Sequence, residues 1–311
     1  MRGRVTKSTG TLNMVRTEAG DLVQSKLKGN FRVKGIKSTN PVAVGDWVKI
    51  EIQPDGIAYI VAVEERHNSI VRKSINLSKK AHILASNIDQ VLIFVTLRDP
   101  ETSMGFVDRL ICNAEAYHIN PILVFNKIDL LSTKNQEDLL IWKYTYEKLG
   151  YQCLEMSLVN EHGIEAVKEA MKGKTSMLAG HSGTGKSSMI NALDSNKKLK
   201  IGAISDYHRQ GKHTTTFAEM HHLSFGADII DTPGIRGFGI IDMNKKELSH
   251  YFIEMRRLLP NCKFNNCQHI NEPHCAVKEG LENLSVMESR YKSYLSIYFE
   301  EEEQTYRGVD Y

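Results

Sequence analysis

Long apolar runs are missing from this chain of 311 residues, and none of its apolar runs approaches the length of a membrane-spanning helix. The first ten residues are polar and do not resemble a secretory signal peptide. No internal repeat is visible, which argues against a solenoid or a propeller. We therefore expect a soluble, cytoplasmic protein. Its length suits two or three domains rather than a single core.

Cysteine is scarce, yet three of the five cysteines lie within 14 residues. Cys262, Cys267 and Cys275, together with His269, follow the spacing Cys-x4-Cys-x-His-x5-Cys. Structural Zn²⁺ takes four tetrahedral ligands of these types. A disulfide is the alternative, but a reducing compartment disfavours it. His274 is an alternative to His269, although its adjacency to Cys275 makes simultaneous ligation awkward. The sequence predicts one structural zinc ion.

A strong excess of either charge is also missing, since the net charge is +3. This balance hides a split, because residues 1–80 carry 15 Lys and Arg against 7 Asp and Glu, a net charge of +8, and the remainder carries −5. Residues 1–70 alternate in polarity between turn residues, which predicts a small antiparallel barrel. We expect Val48, Ile50 and Ile52 to face its core. A basic barrel of the OB type is typical of nucleic-acid binding.

The basic residues of this barrel are candidate contacts to an RNA backbone. We expect about half of them to touch RNA, and the rest to be a solvated face. The candidates are Arg2, Arg4, Lys7, Lys26, Lys28, Arg32, Lys34 and Lys37.

A glycine-rich segment at residues 180–187 reads Gly-His-Ser-Gly-Thr-Gly-Lys-Ser and fits the P-loop pattern. In such loops backbone N–H groups converge on phosphate oxygens, a lysine meets the β- and γ-phosphates, and a hydroxyl binds Mg²⁺. An apolar run at residues 175–179 and a helical pattern at residues 186–193 give the required order of strand, loop and helix. The candidate nucleotide-binding residues here are Gly180, His181, Ser182, Gly183, Thr184, Gly185, Lys186, Ser187 and Ser188. Of these, Lys186 is also a catalytic candidate and Ser187 a magnesium ligand.

A guanine-reading motif stands upstream of this loop. Asn126, Lys127 and Asp129 follow an apolar run at residues 121–125, so their side chains are expected at the carboxyl end of a parallel strand. Asp129 can accept hydrogen bonds from two adjacent N–H donors on guanine, which adenine does not present. Ser157, after the strand predicted at residues 151–156, is either part of the second base-contacting loop or an ordinary serine at a strand end.

The remaining elements of a GTPase follow the phosphate loop. Residues 231–234 read Asp-Thr-Pro-Gly, in which Asp231 is predicted to hold Mg²⁺ through water and the Gly234 N–H to meet the γ-phosphate. The polar loop at residues 211–216 reads Gly-Lys-His-Thr-Thr-Thr, and Thr215 is its candidate magnesium ligand and a catalytic candidate. The alternative for any one of Thr214, Thr215 and Thr216 is the entry of a threonine-rich strand. Where small signalling GTPases place a water-orienting glutamine, this chain has Ile235, which makes no hydrogen bond through its side chain. His213 is therefore the candidate for positioning the attacking water.

In ordinary GTPases the phosphate loop precedes the guanine motif, whereas here it follows. With this permuted order and the Gly-Lys-His-Thr-Thr-Thr segment, the chain resembles the ribosome small subunit-dependent GTPase A (RsgA) family over nearly its whole length. The resemblance implies a circularly permuted α/β P-loop GTPase domain with an N-terminal all-β OB-fold barrel and a C-terminal helical zinc-binding domain. The expected domains are residues 1–70, 71–240 and 241–311.

The resemblance also implies a function. A GTPase of this family hydrolyses GTP to GDP, uses Mg²⁺, and binds the 30S ribosomal subunit and 16S rRNA late in subunit maturation. The subunit is expected to stimulate hydrolysis, which then drives release. We expect a monomer that binds neither membrane nor DNA. The alternatives are a nucleotide-dependent rRNA-binding scaffold whose hydrolysis is incidental, and a metabolic P-loop phosphotransferase, against which the basic barrel and permuted motifs argue.

Helical periodicity predicts the elements that flank the cysteines. Apolar residues recur at helical spacing in residues 247–259 and again in residues 284–299, where Leu284 starts the stripe. Tyr291, Tyr294 and Tyr298 on the second stripe are expected to pack in the core rather than to stack on RNA. Residues 300–303 are predicted to be a solvated helix end, and residues 64–80 a linker between barrel and GTPase.

Overall fold

The computed structural model of this chain describes residues 1–10, 12–28, 40–54, 57–73, 81–194, 218–231 and 244–300. The chain divides into two compact units, each assembled from segments that are distant in the sequence. The first comprises Met1–Leu92, Ile164–Leu178 and Ser187–Arg236, and the second comprises Ile93–Gly163, Ala179–Lys186 and Gly237–Tyr311. Within the described ranges, no helix is both long and apolar enough to cross a membrane.

The described residues contain thirteen strands and seven α-helices. The strands are β1 (Arg2–Ser8), β2 (Asn13–Thr17), β3 (Leu22–Leu27), β4 (Trp47–Ile52), β5 (Ala58–Val63), β6 (Ser69–Lys73), β7 (Ala81–Ser86), β8 (Gln90–Val95), β9 (Asn120–Asn126), β10 (Gln152–Met156), β11 (Thr175–Ala179), β12 (Glu219–His222) and β13 (Asp228–Asp231). The helices are α1 (Met104–Ala116), α2 (Thr133–Leu149), α3 (Ile164–Met171), α4 (Lys186–Leu193), α5 (Ile253–Leu258), α6 (Ala276–Glu282) and α7 (Glu288–Phe299).

The first unit begins with a closed five-stranded barrel. Its order is β1-β2-β3-β5-β4 and back to β1, and only the β3–β5 pair is parallel. The predicted OB-type barrel is confirmed. Val48 and Ile50 of β4 are buried in its core, but Ile52 is 55% exposed, so its predicted burial is wrong. Ile52 is the last residue of β4 and pairs with Ala58 at the end of the β4–β5 hairpin, beyond the core.

Arg4 is buried, so its predicted contact with RNA is wrong. Its Nη2 donates to the carbonyl oxygen of Asn87 at 2.7 Å, its Nε donates to that of Gly45 at 3.3 Å, and its Nη1 lies 3.5 Å from Asp228. Burial lowers the pKa of Arg4, partly offset by the Asp228 carboxylate. These partners come from distant segments, which no local pattern reveals. Arg32, Lys34 and Lys37 lie outside the described residues.

The rest of the first unit joins the barrel to part of an α/β sheet. β11 pairs in parallel with β13, and β13 pairs antiparallel with β12, which meets β1 of the barrel at Lys7 and Glu219. β6 and β7 form a separate antiparallel hairpin. The interpretation of residues 64–80 as a linker is therefore wrong in part, because the apolar pair Ile70 and Val71 lies in β6 and pairs with β7.

The second unit contains the sheet edge that carries the guanine motif. β9 and β10 pair in parallel, and β8 lies on the other side of β9. Because parallel strands end at the same edge, the register that pairs Asn126 with Met156 brings the residues after both strands together. α1 follows β8 and begins at Met104, and the Oγ of the capping residue Ser103 accepts the N–H of Phe106 at 3.3 Å.

The segment that carries the predicted zinc ligands lies among short helices of the same unit. The helix predicted for residues 247–259 is wrong as one element: a 3-10 turn (Leu248–Tyr251) precedes α5, and Phe252 between them is extended. The helix predicted for residues 284–299 begins only at Glu288. Leu284 has a φ of +60° and is 68% exposed, which removes it from the predicted apolar stripe.

The end of α7 also differs from expectation. Glu300 was predicted to be solvated, but its Oε2 accepts a hydrogen bond from Arg109 on α1 at 2.6 Å. Tyr294 is fully buried, and Tyr291 and Tyr298 pack against the same apolar cluster, as predicted. Residues 301–303 lie outside the described residues. α7 is thus anchored along its length to the core of the second unit.

Candidate nucleotide site and metal centre

The glycines of the phosphate loop adopt backbone conformations that side chains disfavour. Gly180, Gly183 and Gly185 have φ values of +135°, +83° and +94°. A Cβ on Gly180 would lie 2.7 Å from the carbonyl oxygen of Phe94, and one on Gly185 would lie 2.2 Å from Nδ2 of Asn126. The tight loop therefore requires glycine at both positions for steric reasons. Ser182 and Gly183 at its tip are exposed.

Lys186 folds back over this loop. Its Nζ donates to the carbonyl oxygens of Gly180 at 2.7 Å and His181 at 2.5 Å. The Thr184 hydroxyl donates to the same His181 oxygen at 2.9 Å. Burial lowers the pKa of Lys186 to about 8. The ammonium group is therefore held by the carbonyl oxygens of the loop that precedes it.

Asn126 connects the guanine motif to the phosphate loop. It is buried at the end of β9, and its Nδ2 donates to the carbonyl oxygen of Thr184 at 2.8 Å. Its Oδ1 is buried without a hydrogen-bond partner in the part of the chain that the structure describes. Lys127 has a left-handed backbone with φ +60°, and its Nζ donates to the carbonyl oxygen of Asp99. The two motifs are thus in direct contact within the second unit.

Ser157 orients the carboxylate that is predicted to read guanine. Its Oγ donates to Oδ1 of Asp129 at 2.5 Å and accepts the N–H of Asn160 at 3.2 Å. Ser157 is fully buried, whereas Asp129 is half-buried. Fixing one carboxylate oxygen in this way aims the group without consuming its capacity to accept from a base. The arrangement favours a role for Ser157 in the base site over that of an ordinary strand-end serine.

The structure describes only some of the predicted magnesium and switch residues. Ser187 is half-buried in the first turn of α4, and Ser188 is exposed. Asp231 ends β13, where burial first and Glu219 second raise the pKa of its carboxyl group to about 6. His213, Thr215, Gly234 and Ile235 lie outside the described residues. Their predicted roles remain predictions.

The structure gathers the predicted zinc ligands into one buried cluster. The ligand atoms of Cys262, Cys267, His269 and Cys275 all lie within 4.8 Å of one another. Nδ1 of His269 is 3.3 Å from Sγ of Cys275 and 3.7 Å from Sγ of Cys262. Zn²⁺ bonds of about 2.0–2.3 Å in a tetrahedron require ligand separations close to these. His274, the alternative ligand, is exposed.

Neighbouring groups hold the ligand loop in place. Tyr291 and Tyr294 donate their hydroxyls to the carbonyl oxygens of His269 at 2.7 Å and Gln268 at 2.6 Å. Glu272 accepts three backbone N–H bonds, which outweigh the effect of burial and lower its pKa. All five cysteines are free thiols, so no disulfide competes with a metal. Burial raises the pKa of Cys267 to about 12, a penalty that a bound cation offsets by favouring the thiolate.

Sequence reasoning missed two contacts of this site. Phe106 on α1 stacks on His181 of the phosphate loop, with ring centroids 3.7 Å apart and an interplanar angle of 21°. Pro100, next to Asp99, lies 3.4 Å from the position of a Cβ on Gly183. The available signal was that polar residues follow β8 at the carboxyl edge of a parallel sheet, where ligand sites form.

Comparison with known proteins identifies the chain. A family model described as RsgA GTPase matches residues 63–241, and one described as RsgA N-terminal domain matches residues 2–60. The small ribosomal subunit biogenesis GTPase RsgA of Flavobacterium johnsoniae is 52% identical over 310 residues, which cover 99% of this chain and 95% of that one. The chain belongs to the RsgA GTPase family. Its counterpart in Christiangramia forsetii is 49% identical over 315 residues, with 100% and 99% coverage.

Solved structures of similar proteins agree with this membership. The crystal structure of YjeQ from Thermotoga maritima matches with a TM-score of 0.79 and 34% identity, covering 96% of this chain and 97% of that one. The structure of YloQ, described as a circularly permuted GTPase, matches with a TM-score of 0.75 and 25% identity, covering 100% and 96%. The permuted GTPase fold is thus confirmed. As an RsgA GTPase the chain is a GTP hydrolase, for which GTP, GDP and Mg²⁺ are the expected ligands.

Proposed function

We propose that this RsgA GTPase acts in the biogenesis of the small ribosomal subunit. It binds the 30S subunit late in assembly in the cytoplasm, the subunit stimulates GTP hydrolysis, and hydrolysis releases the protein. The names of the full-length relatives support this role. The structural observation that carries it is the contact of Asn126 with the phosphate loop at Thr184, which unites the two permuted motifs.

The nucleotide roles follow from the geometry of the second unit. Asp129, aimed by Ser157, reads the Watson–Crick edge of guanine. Asn126 holds the base site against the phosphate loop, and Lys127 is fixed on the carbonyl oxygen of Asp99. Lys186 leaves its loop carbonyls to meet the β- and γ-phosphates. The remaining backbone contacts to phosphate come from the loop and the start of α4 at residues 180–188.

Hydrolysis requires groups that orient water and sense the γ-phosphate. Ser187, Thr215 and, through water, Asp231 are the proposed protein ligands of Mg²⁺, which would neutralise charge on the phosphates. His213 positions the attacking water in place of the missing glutamine, and the Gly234 N–H meets the γ-phosphate. Because the chain carries no evident arginine finger, we expect slow turnover until a partner orders these segments.

The two flanking modules are proposed to bind 16S rRNA. We propose a monomer with domains at residues 1–70, 71–240 and 241–311. The first is the barrel, and the third, which carries the predicted zinc ligands, is called the metal module. Zn²⁺ is the metal proposed for the three cysteines and one histidine, with a structural role because four protein ligands leave no open position. Arg2 and Lys7, each nearly half exposed, pair with Glu18 and Glu219 at the barrel surface, and phosphate is proposed to replace these partners on binding.

GTP turnover by the purified protein with and without 30S subunits tests this proposal. We expect the subunits to raise turnover, and the stimulation to fall steeply between roughly 50 and 200 mM salt because the RNA contacts release counterions. Absence of stimulation at low salt would contradict a ribosomal role. Stimulation by a small-molecule acceptor instead would favour a phosphotransferase.

Two variants separate catalysis from binding. His213→Ala is expected to lower turnover far more than GTP affinity, and equal losses in both would remove His213 from the mechanism. Lys186→Ala is expected to lose nucleotide binding itself. If cells that carry either variant still complete subunit assembly, hydrolysis is incidental and the protein is an rRNA-binding scaffold.

A further inference from the structure

The phosphate loop touches a helix that none of its motifs includes. The ring of Phe106 on α1 stacks on the ring of His181 at 3.7 Å, nearly parallel. The backbone of Phe106 is fixed as well, because its N–H donates to the capping hydroxyl of Ser103. Burial and the Lys186 ammonium both lower the pKa of His181, so the neutral ring that stacks well is favoured.

The stacked ring belongs to the residue that orients the loop lysine. The carbonyl oxygen of His181 accepts from Nζ of Lys186 and from the hydroxyl of Thr184. Because the stack restrains the position of His181, it also restrains the backbone carbonyl that the ammonium group binds. The position of Phe106 is therefore passed on to Lys186 through two direct contacts.

α1 is itself held firmly on its other side. Asp108 accepts a hydrogen bond from Nη1 of Arg290 on α7 at 2.7 Å and another from the Tyr146 hydroxyl at 2.8 Å. Arg290 also donates to both carboxylate oxygens of Glu254 on α5, at 2.8 and 3.1 Å. Cys112 of α1 packs in the same apolar cluster as the three metal-ligating cysteines. α1 thus links the metal module to the phosphate loop.

We infer that Phe106 is a positioning residue of the GTPase reaction: its stack on His181 sets the phosphate loop, and the Asp108–Arg290 pair holds α1 so that the stack persists. The inference rests on the proposed assignment of residues 180–188 to phosphate binding. Phe106 acts through His181 and does not itself touch the nucleotide in this account.

The test measures GDP and GTP affinity of the full chain with fluorescent nucleotide analogues. Phe106→Leu keeps apolar bulk but removes the stack, and we expect affinity to fall about 3- to 10-fold, the value typical of an aromatic pair. Phe106→Tyr and Phe106→Trp are expected to restore it. Phe299→Leu, at an exposed aromatic residue at the end of α7, is the matched control and should leave affinity unchanged.

A double-mutant cycle with His181→Leu tests the path. If the ring contact carries the effect, the double variant loses little more affinity than either single variant. Additive losses would overturn the inference, as would wild-type affinity in Phe106→Leu. His181→Leu, on an exposed loop, reports on the same stack if Phe106→Leu fails to fold. Lys186→Ala distinguishes failure of the phosphate-loop assignment from failure of the positioning role. If Lys186→Ala retains nucleotide affinity, the phosphate-loop assignment fails. If Lys186→Ala loses affinity while Phe106→Leu keeps it, only the positioning role of Phe106 is removed.

Discussion

Two clusters of ion pairs, one in each unit, have similar geometry and very different surroundings. In the second unit Arg290 pairs with Asp108 and Glu254 at 2.7 and 2.8 Å, and all three side chains are at most 4% exposed. In the first unit Arg16 pairs with Asp228 at 2.9 Å with 20% and 12% exposure, and Lys7 pairs with Glu219 at 3.0 Å with over 40% exposure on both sides.

The distance within an ion pair does not determine how much free energy is lost when the pair is broken. All of these pairs are short, but the cost of breaking one depends on what remains behind: an uncompensated charge in a dry interior or a solvated one at the surface. The buried cluster fixes α1, which carries Phe106, to the helices of the metal module. The more exposed cluster ties β13, which ends in Asp231, to barrel strands. We therefore expect α1 to be held rigidly on the helices of the metal module, and β13 to be held less rigidly on the barrel strands.

Loss of the proposed zinc site should have the largest effect, because we expect it to unfold the part of the second unit to which Arg290 belongs. Cys275→Ser is expected to lose zinc, and the backbone amides of α5, α6 and α7 are expected to lose their protection from hydrogen exchange. The reason is that zinc binding contributes roughly 10 kcal/mol or more to the folding of small zinc domains. Metal analysis and hydrogen exchange measure both. Cys153→Ser on β10, at a thiol outside the cluster, is the control. One zinc ion per chain and full protection in Cys275→Ser would contradict the assignment.

Breaking the buried cluster itself should come next. Arg290→Met leaves Asp108 and Glu254 buried without a cation, and we expect it to lower the free energy of unfolding by about 3–5 kcal/mol in denaturant titrations. The matched control is Arg256→Met, because Arg256 pairs with Glu115 but is 48% exposed. Its loss should stay below about 1 kcal/mol. Equal losses in the two variants would end the distinction between buried and exposed ion pairs.

An intermediate loss is expected in the first unit. Arg16→Met leaves Asp228 with Arg4 at 3.5 Å and His222 at 2.9 Å, so the carboxylate keeps partners. We expect a decrease of about 1–2 kcal/mol in the free energy of unfolding, between the values for exposed and buried pairs. Lys26→Met, at an exposed cation of β3, provides the baseline. A loss as large as that of Arg290→Met would show that the two clusters are equally rigid.

The smallest effect is expected at the surface pair. Lys7→Met should cost about 0.2–1 kcal/mol at low salt, since both side chains of the Lys7–Glu219 pair are solvated. Salt of about 1 M should abolish the difference in stability from the wild type, because the Debye screening length for exposed charges is then only about 3 Å. Thermal unfolding at two salt concentrations measures this. A difference that persists at high salt would indicate packing rather than charge.

Local segments were predicted best where strand, loop and helix are contiguous. The strand predicted at residues 175–179 and the helix predicted at residues 186–193 match β11 and α4. A short apolar run predicts the strand, and the residues around the glycine-rich turn predict where the helix begins, without reference to distant parts of the chain. Prediction failed where the chain breaks a periodic pattern. Extended Phe252 interrupts the helix predicted for residues 247–259, and the left-handed Leu284 delays α7, neither of which helical spacing reveals.

The sequence by itself determined the chemistry of each motif: a phosphate loop, a guanine motif placed before it, and three cysteines with one histidine at zinc spacing. Each of these is written in residues that lie close together along the chain. Only the tertiary structure decided that Arg4 is buried, that Phe106 stacks on His181, and that Asp108 pairs with Arg290, 182 positions away. Such contacts depend on which helix faces pack together, and the burial that gives them their energy is a property of the whole fold.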